Sequence, residues 1–129
     1  MRREAKLWLE DAEYDLQCAL DMFEKKRYNY AVWLARQSVE KALKAAFLVK
    51  IKEPIPFEHN LLTLAESLQL VLPEKIRSDL VFLNPHYTVA RYVDAAVGKP
   101  ADLFSIEFAA EALEKAKRVH LWLKKILKI

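Results

Sequence analysis

From Arg3 to Lys26 the inward apolar positions are Ala5, Trp8, Leu9, Ala12, Leu16, Ala19 and Phe23. Spacings of three and four residues follow the helical turn, so this pattern predicts one amphipathic helix with a single main stripe. A thinner line, Leu7, Tyr14, Cys18 and Met22, runs along its far side. Lys25, Lys26 and Arg27 close the helix, where cations complement the negative end of its dipole. A second helix is predicted from Tyr28 to about Lys50, with Ala31, Leu34, Ala35, Ser38, Ala42, Ala45, Ala46 and Val49 inward. Its small side chains admit a close neighbour. Trp33 falls on the opposite face beside Gln37, Glu40 and Lys44, either as a scattered surface aromatic or as a contact for a partner.

Pro54 and Pro56 stop the second helix. Asn60 to Leu70 reads as a shorter helix with His59 or Asn60 near its cap. Pro73 suits the first turn of another, ending near Leu83, and Asn84-Pro85 breaks it. Residues 85–104 then form the longest irregular stretch. Ser105 caps a last helix from Ile106 to about Leu127, with Glu107, Glu111 and Glu114 early and Lys124, Lys125 and Lys128 late, the order the dipole favours. The apolar arc of this helix is wider than one core contact requires. Ile106, Ala109, Leu113 and Leu127 are assigned to the chain's own core, and Trp122, Phe108, Val119, Leu123 and Ile126 to the interface of a homodimer. These elements predict an all-α fold: one antiparallel up-and-down bundle, like a four-helix bundle with short extra helices, spanning residues 1–129 as a single domain.

Composition narrows the chemistry. Gly98 is the only glycine among 129 residues, which excludes β-sandwiches and barrels and both glycine-rich phosphate loops. Cys18 is the only cysteine, so no intrachain disulfide and no cysteine-based zinc site can form. The three histidines show no metal-ligand spacing, and no metal or cofactor is expected. No run reaches ~18 consecutive apolar residues and the start does not resemble a signal peptide, so a cytoplasmic protein without a membrane segment is expected. The net charge of +3 is modest, and balanced charge of this kind usually forms a solvated surface.

Arg91-Tyr92-Val93-Asp94 is the most suggestive local cluster. Arginine offers a planar fork for phosphate and tyrosine a stacking face for a base. The competing reading is that Arg91 and Asp94 tie down their own loop. His59 is a capping residue or a site residue, His120 flanks the apolar arc of the last helix, and His86 is uninformative.

Five ordered pieces resemble a known family. Trp8 with Ala12, Asp15 and Leu16 matches its first helix, and Tyr28, Ala31 and Gln37-Ser38-Val39-Glu40-Lys41-Ala42-Leu43-Lys44-Ala45 its second. His59-Asn60-Leu61-Leu62 with Leu64 resembles a short His-x-Leu-x-x-Leu helix start. Tyr87 and Arg91-Tyr92 with Asp94 resemble a loop often written Arg-Tyr-Pro-Asp, and Ala109, Ala112 and Ala116 fit the final helix. The family is HEPN, named for higher eukaryotes and prokaryotes nucleotide-binding. The resemblance implies a helical bundle, commonly a homodimer, acting as a nucleotide- or RNA-binding module beside a small nucleotidyltransferase partner, in some cases as a toxin–antitoxin pair. It places nucleotide or RNA contacts at Arg91, Tyr92, Asp94 and His59. Active members resemble metal-independent ribonucleases with an arginine followed by a histidine, four to six residues between them. Here Arg91 has no such histidine, and Lys115 stands where an arginine would pair with His120. The sequence therefore expects no catalytic residues of that kind. A ribonuclease with a differently built site and a ligand-free adaptor bundle are the alternatives.

Overall fold

The computed structural model describes residues 2–52 and 54–128. Six α-helices lie among them: α1 (Arg3–Glu24), α2 (Tyr28–Lys50), α3 (Leu61–Ser67), α4 (Glu74–Leu83), α5 (Val93–Ala96) and α6 (Ile106–Leu127). Two 3-10 turns, Asn84–Tyr87 and Pro100–Asp102, flank α5. The described residues contain no strand, and the all-α bundle expected from the sequence is what forms.

A three-residue link joins α1 to α2 and turns the chain back on itself. Lys26 takes a left-handed conformation (φ 63°), and Arg27 N–H donates to the Met22 carbonyl at 2.8 Å, so α1 closes at Glu24, before the lysines. The pairs Asp15–Gln37 and Asp11–Lys41 show the antiparallel alignment: as α1 descends, α2 rises. Lys41 also reaches Asp15 at 2.8 Å, and these hydrogen bonds outweigh its burial and raise its pKa.

α2 is the axis of the bundle. Ala31, Ala35, Val39 and Ala46 are buried on one side and Arg36, Glu40, Lys44 and Leu48 on the other, which means α2 is covered around much of its circumference and not on one inner face alone. Ala109, Ala112, Ala116, Val119 and Leu123 of α6 form one buried stripe at spacings of three and four. Val119 and Leu123 therefore lie inside the protomer, not at the dimer interface that the sequence pattern suggests. Phe108 is also turned inward, stacked on Phe82 at 4.7 Å. Ile106, expected in the core, is 48% exposed, because it sits out of phase with the alanine stripe. Trp122 packs partly against the core, and Ile126 is exposed.

α4 ends at Leu83 as expected, and Asn84-Pro85 opens a 3-10 turn directly after it, with a kink at His86 (ψ 25°). Proline is tolerated there because the first turn leaves its missing N–H without consequence. Residues 85–104 are irregular only in part: α5 and two 3-10 turns interrupt the stretch. α3 stops at Ser67, short of Leu70, because Gln69 turns left-handed (φ 57°). Two side chains cap as the sequence predicts: Asn60 accepts from Thr63 N–H at 3.1 Å, and Ser105 accepts from Phe108 N–H at 3.0 Å. Among the described residues, no helix is long and apolar enough to cross a membrane.

Candidate functional site

Where α2, the start of α3 and the 84–92 segment meet, a charged cluster is buried. Arg36 is 2% exposed, and every nitrogen of its guanidinium donates. Nε donates to the Asn84 carbonyl at 3.1 Å, one Nη to Glu40 Oε1 at 2.7 Å, and the other Nη to the His59 carbonyl. A buried guanidinium needs such a set of acceptors to offset its desolvation. Arg36 thereby ties the axis of the bundle to two chain segments remote in sequence. Asn84 completes the junction by accepting from Leu61 N–H at 2.9 Å through its side chain.

Glu40 is the acceptor at the centre. Burial alone would raise its pKa, but hydrogen bonds from Arg36, His59 and Lys44 outweigh that and hold it below the usual carboxylate value. Its Oε2 lies 3.0 Å from His59 Nδ1 and 3.2 Å from Lys44 Nζ. An ionised carboxylate can only accept, so Nδ1 carries the proton and donates. Nε2 is left facing away from Glu40 on a side chain that is 47% exposed. Lys44 continues the chain of contacts to the Trp8 ring at 5.6 Å.

Tyr87 organises the outer layer. Its ring stacks on His59 at 4.5 Å between centroids. The Arg91 guanidinium lies against three rings, Trp33 at 4.6 Å, Tyr92 at 4.9 Å and Tyr87 at 5.1 Å. Arg91 Nε and one Nη donate to the Tyr87 carbonyl at 2.9 and 2.7 Å. Those two bonds fix the plane of the guanidinium and leave its other Nη without a protein partner among the described residues. Aromatic faces attract a cation while keeping its N–H groups available for an anion.

The structure thus brings together Arg91, Tyr92 and His59 of the residues expected from sequence. Asp94 does not join them: it sits exposed in the first turn of α5, and Arg91 is tied to Tyr87 instead of Asp94. Trp33 proves to be an internal wall of the cluster. Arg36 and Glu40 carry the arrangement, and sequence reasoning gives neither a role. The available signal was the spacing Arg36–Glu40–Lys44, four residues apart twice.

The other histidines lie elsewhere. His86 is buried against Phe82, Phe104 and Phe108, and its Nδ1 has no partner among the described residues. Burial, with the Arg36 charge nearby, lowers its pKa. His120 is buried between α1, α2 and α6, with Nε2 3.1 Å from Ser38 Oγ. Two further arginines of the bundle wall are engaged: Arg118 forks onto buried Asp79 at 2.7 and 2.9 Å, and Arg77 faces Glu66. No group of three His, Cys, Asp or Glu among the described residues could hold a metal ion.

A hairpin of two long helices completed by α6, with short helices packed beside it, places the chain in the class of all-α helical bundles. Residues 5–126 match the HEPN domain family, and the chain belongs to it. It is similar to the crystal structure of TT1696 from Thermus thermophilus, with a TM-score of 0.88 and 28% identity over 96% of this chain and 98% of that one. It is also similar to ST0689, an archaeal HEPN homologue, with a TM-score of 0.81 and 29% identity over 98% and 99% of the two chains. A search of curated proteins gives no match.

Proposed function

We propose that this HEPN domain is a nucleotide- or RNA-binding module whose phosphate contact is Arg91. The observation that carries the reading is the Arg91 guanidinium, held flat by the Tyr87 carbonyl among the rings of Trp33, Tyr87 and Tyr92. A phosphate oxygen would meet the free Nη, and a base would stack on Tyr92, which is half exposed. His59 stands beside it with Nε2 outward as a further polar contact. The domain works in this reading as a homodimer, with Trp122 and Ile126 at the interface, beside a small nucleotidyltransferase in a toxin–antitoxin-like pair. Trp33 supplies the test: adding ATP quenches its fluorescence, and Trp33→Phe removes that part of the signal. Absence of any Trp33-dependent change on adding ATP or a short RNA would count against the site.

One observation favours a second reading, RNA cleavage without metal. Although no arginine–histidine motif exists in the sequence, Arg91 and His59 both contact the Tyr87 ring, and Glu40 orients the imidazole. A placed histidine contributes ~100- to 10,000-fold as a general acid or base. Cleavage of mixed RNA in chelator that vanishes in His59→Ala would establish this reading; intact RNA leaves binding as the function.

A further inference from the structure

A groove of about 310 Å³ runs between α1 and α6, on a different part of the bundle from Arg91. Leu16, Leu20 and Leu121 give it apolar walls, Lys117 and Lys124 stand with Glu13 as its charged groups, and His120 forms part of its lining. The protonation of His120 is fixed by its neighbours. Ser38 donates its hydroxyl proton to the Ala35 carbonyl at 2.7 Å, so toward His120 its oxygen can only accept. Nε2 therefore carries the proton, and Nδ1 is a bare lone pair with no partner among the described residues. His120 is otherwise buried, and the groove is where its ring borders open space. Burial, reinforced by the Lys124 charge against the opposing influence of Glu13 and Ser38, lowers the His120 pKa to about 4 and keeps it neutral near pH 7.

We propose that this groove is a binding site for a small organic anion with an apolar body and one N–H or O–H donor. Each part of that description answers a feature of the walls. The Nδ1 lone pair repels a bare oxyanion and needs a donor, and a purely apolar occupant would leave it unpaired. The leucines take the body. The anionic end goes to Lys117, which has no ion pair among the described residues, and to Lys124, which Glu13 at 2.7 Å only partly neutralises. The volume lies at the lower end of the ~300–1,000 Å³ of small-molecule sites.

4-Hydroxybenzoate has both features, benzoate lacks the donor, and phenol lacks the anion. Titration of each into ¹⁵N-labelled protein, followed at the His120 ring nitrogens, tests the assignment. The expected result is a shift of Nδ1 with 4-hydroxybenzoate and an affinity about tenfold above either control. Gln17→Trp, at an exposed position on the groove, fills it and abolishes the shift, whereas Arg91→Ala leaves it intact. An unmoved Nδ1 resonance at millimolar probe, equal affinity for all three compounds, or a shift that survives Gln17→Trp or disappears in Arg91→Ala overturns the proposal.

Discussion

His59 Nδ1 lies 3.0 Å from Glu40 Oε2, a contact that spans nineteen residues of chain and joins the axis of the bundle to the start of a short helix. The same carboxylate receives Arg36 and Lys44. Removing its charge strands two buried cations as well as the histidine. Glu40→Gln is therefore expected to destabilise the fold by about 3 kcal/mol, as breaking a buried ion pair from one side does. Denaturant unfolding checks this. His59→Ala, at a half-exposed position, costs much less, and equal losses for the two variants would deny Glu40 its central place.

The histidine in the α1–α6 groove sets a second expectation. The folded His120 has a pKa of about 4 against 6.5 in the unfolded chain, so the unfolded state takes up its proton first. Stability from this group is complete above pH 6.5 and drains as pH falls toward 4, by about 3 kcal/mol in all. Glu40, held below the ordinary carboxylate value, adds a loss only at lower pH, as it protonates through its depressed pKa. His120→Gln should flatten the unfolding free energy between pH 6.5 and 4; an unchanged slope contradicts the assignment.

Val97 is a β-branched residue in the left-handed region (φ 53°, ψ 46°) at the end of α5, and it is 90% exposed. Nothing is gained from the side chain to offset that conformation, which costs ~1–2 kcal/mol for most L-residues. Asparagine tolerates it better. Val97→Asn should raise the melting temperature by a few degrees, measured by circular dichroism, without affecting ligand binding.

Self-association is expected to use the outer edge of α6. Val119, Leu123 and Phe108 serve the protomer's own core, which leaves Trp122 and Ile126 from the interface read in the sequence. Light scattering should give twice the 15.0 kDa chain mass. Ile126→Glu, at an exposed position, should halve it; a monomeric wild type would remove the homodimer from the account.

The long elements were legible because their pattern is periodic. α2 and α6 begin and end where hydropathy and the Ser105 cap place them. The sense of α6 was harder. Its arc is apolar over half the circumference, so hydropathy alone could not say that Val119 belongs with Ala112 and Ala116 while Ile106 faces outward. The short helical turns of the 85–104 segment go unseen because a proline marks a break equally well in a loop and in a 3-10 turn. Arg91, Tyr92 and His59 could be picked out locally, since each bears its chemistry on its own side chain. Arg36 and Glu40 could not. Their role depends on the carbonyls of His59 and Asn84 arriving from elsewhere in the chain, and in sequence they read as ordinary charges on a helix.

The proposed function turns on a contact between Arg91 and phosphate. Isothermal titration of ATP and of a short single-stranded RNA into wild type and Arg91→Ala tests it most directly, with circular dichroism to show that both proteins are folded. A charged hydrogen bond of this kind is worth ~1.5–3 kcal/mol, so binding is expected to be roughly 10- to 100-fold weaker in the variant. Equal affinities of the two proteins for both ligands would contradict it.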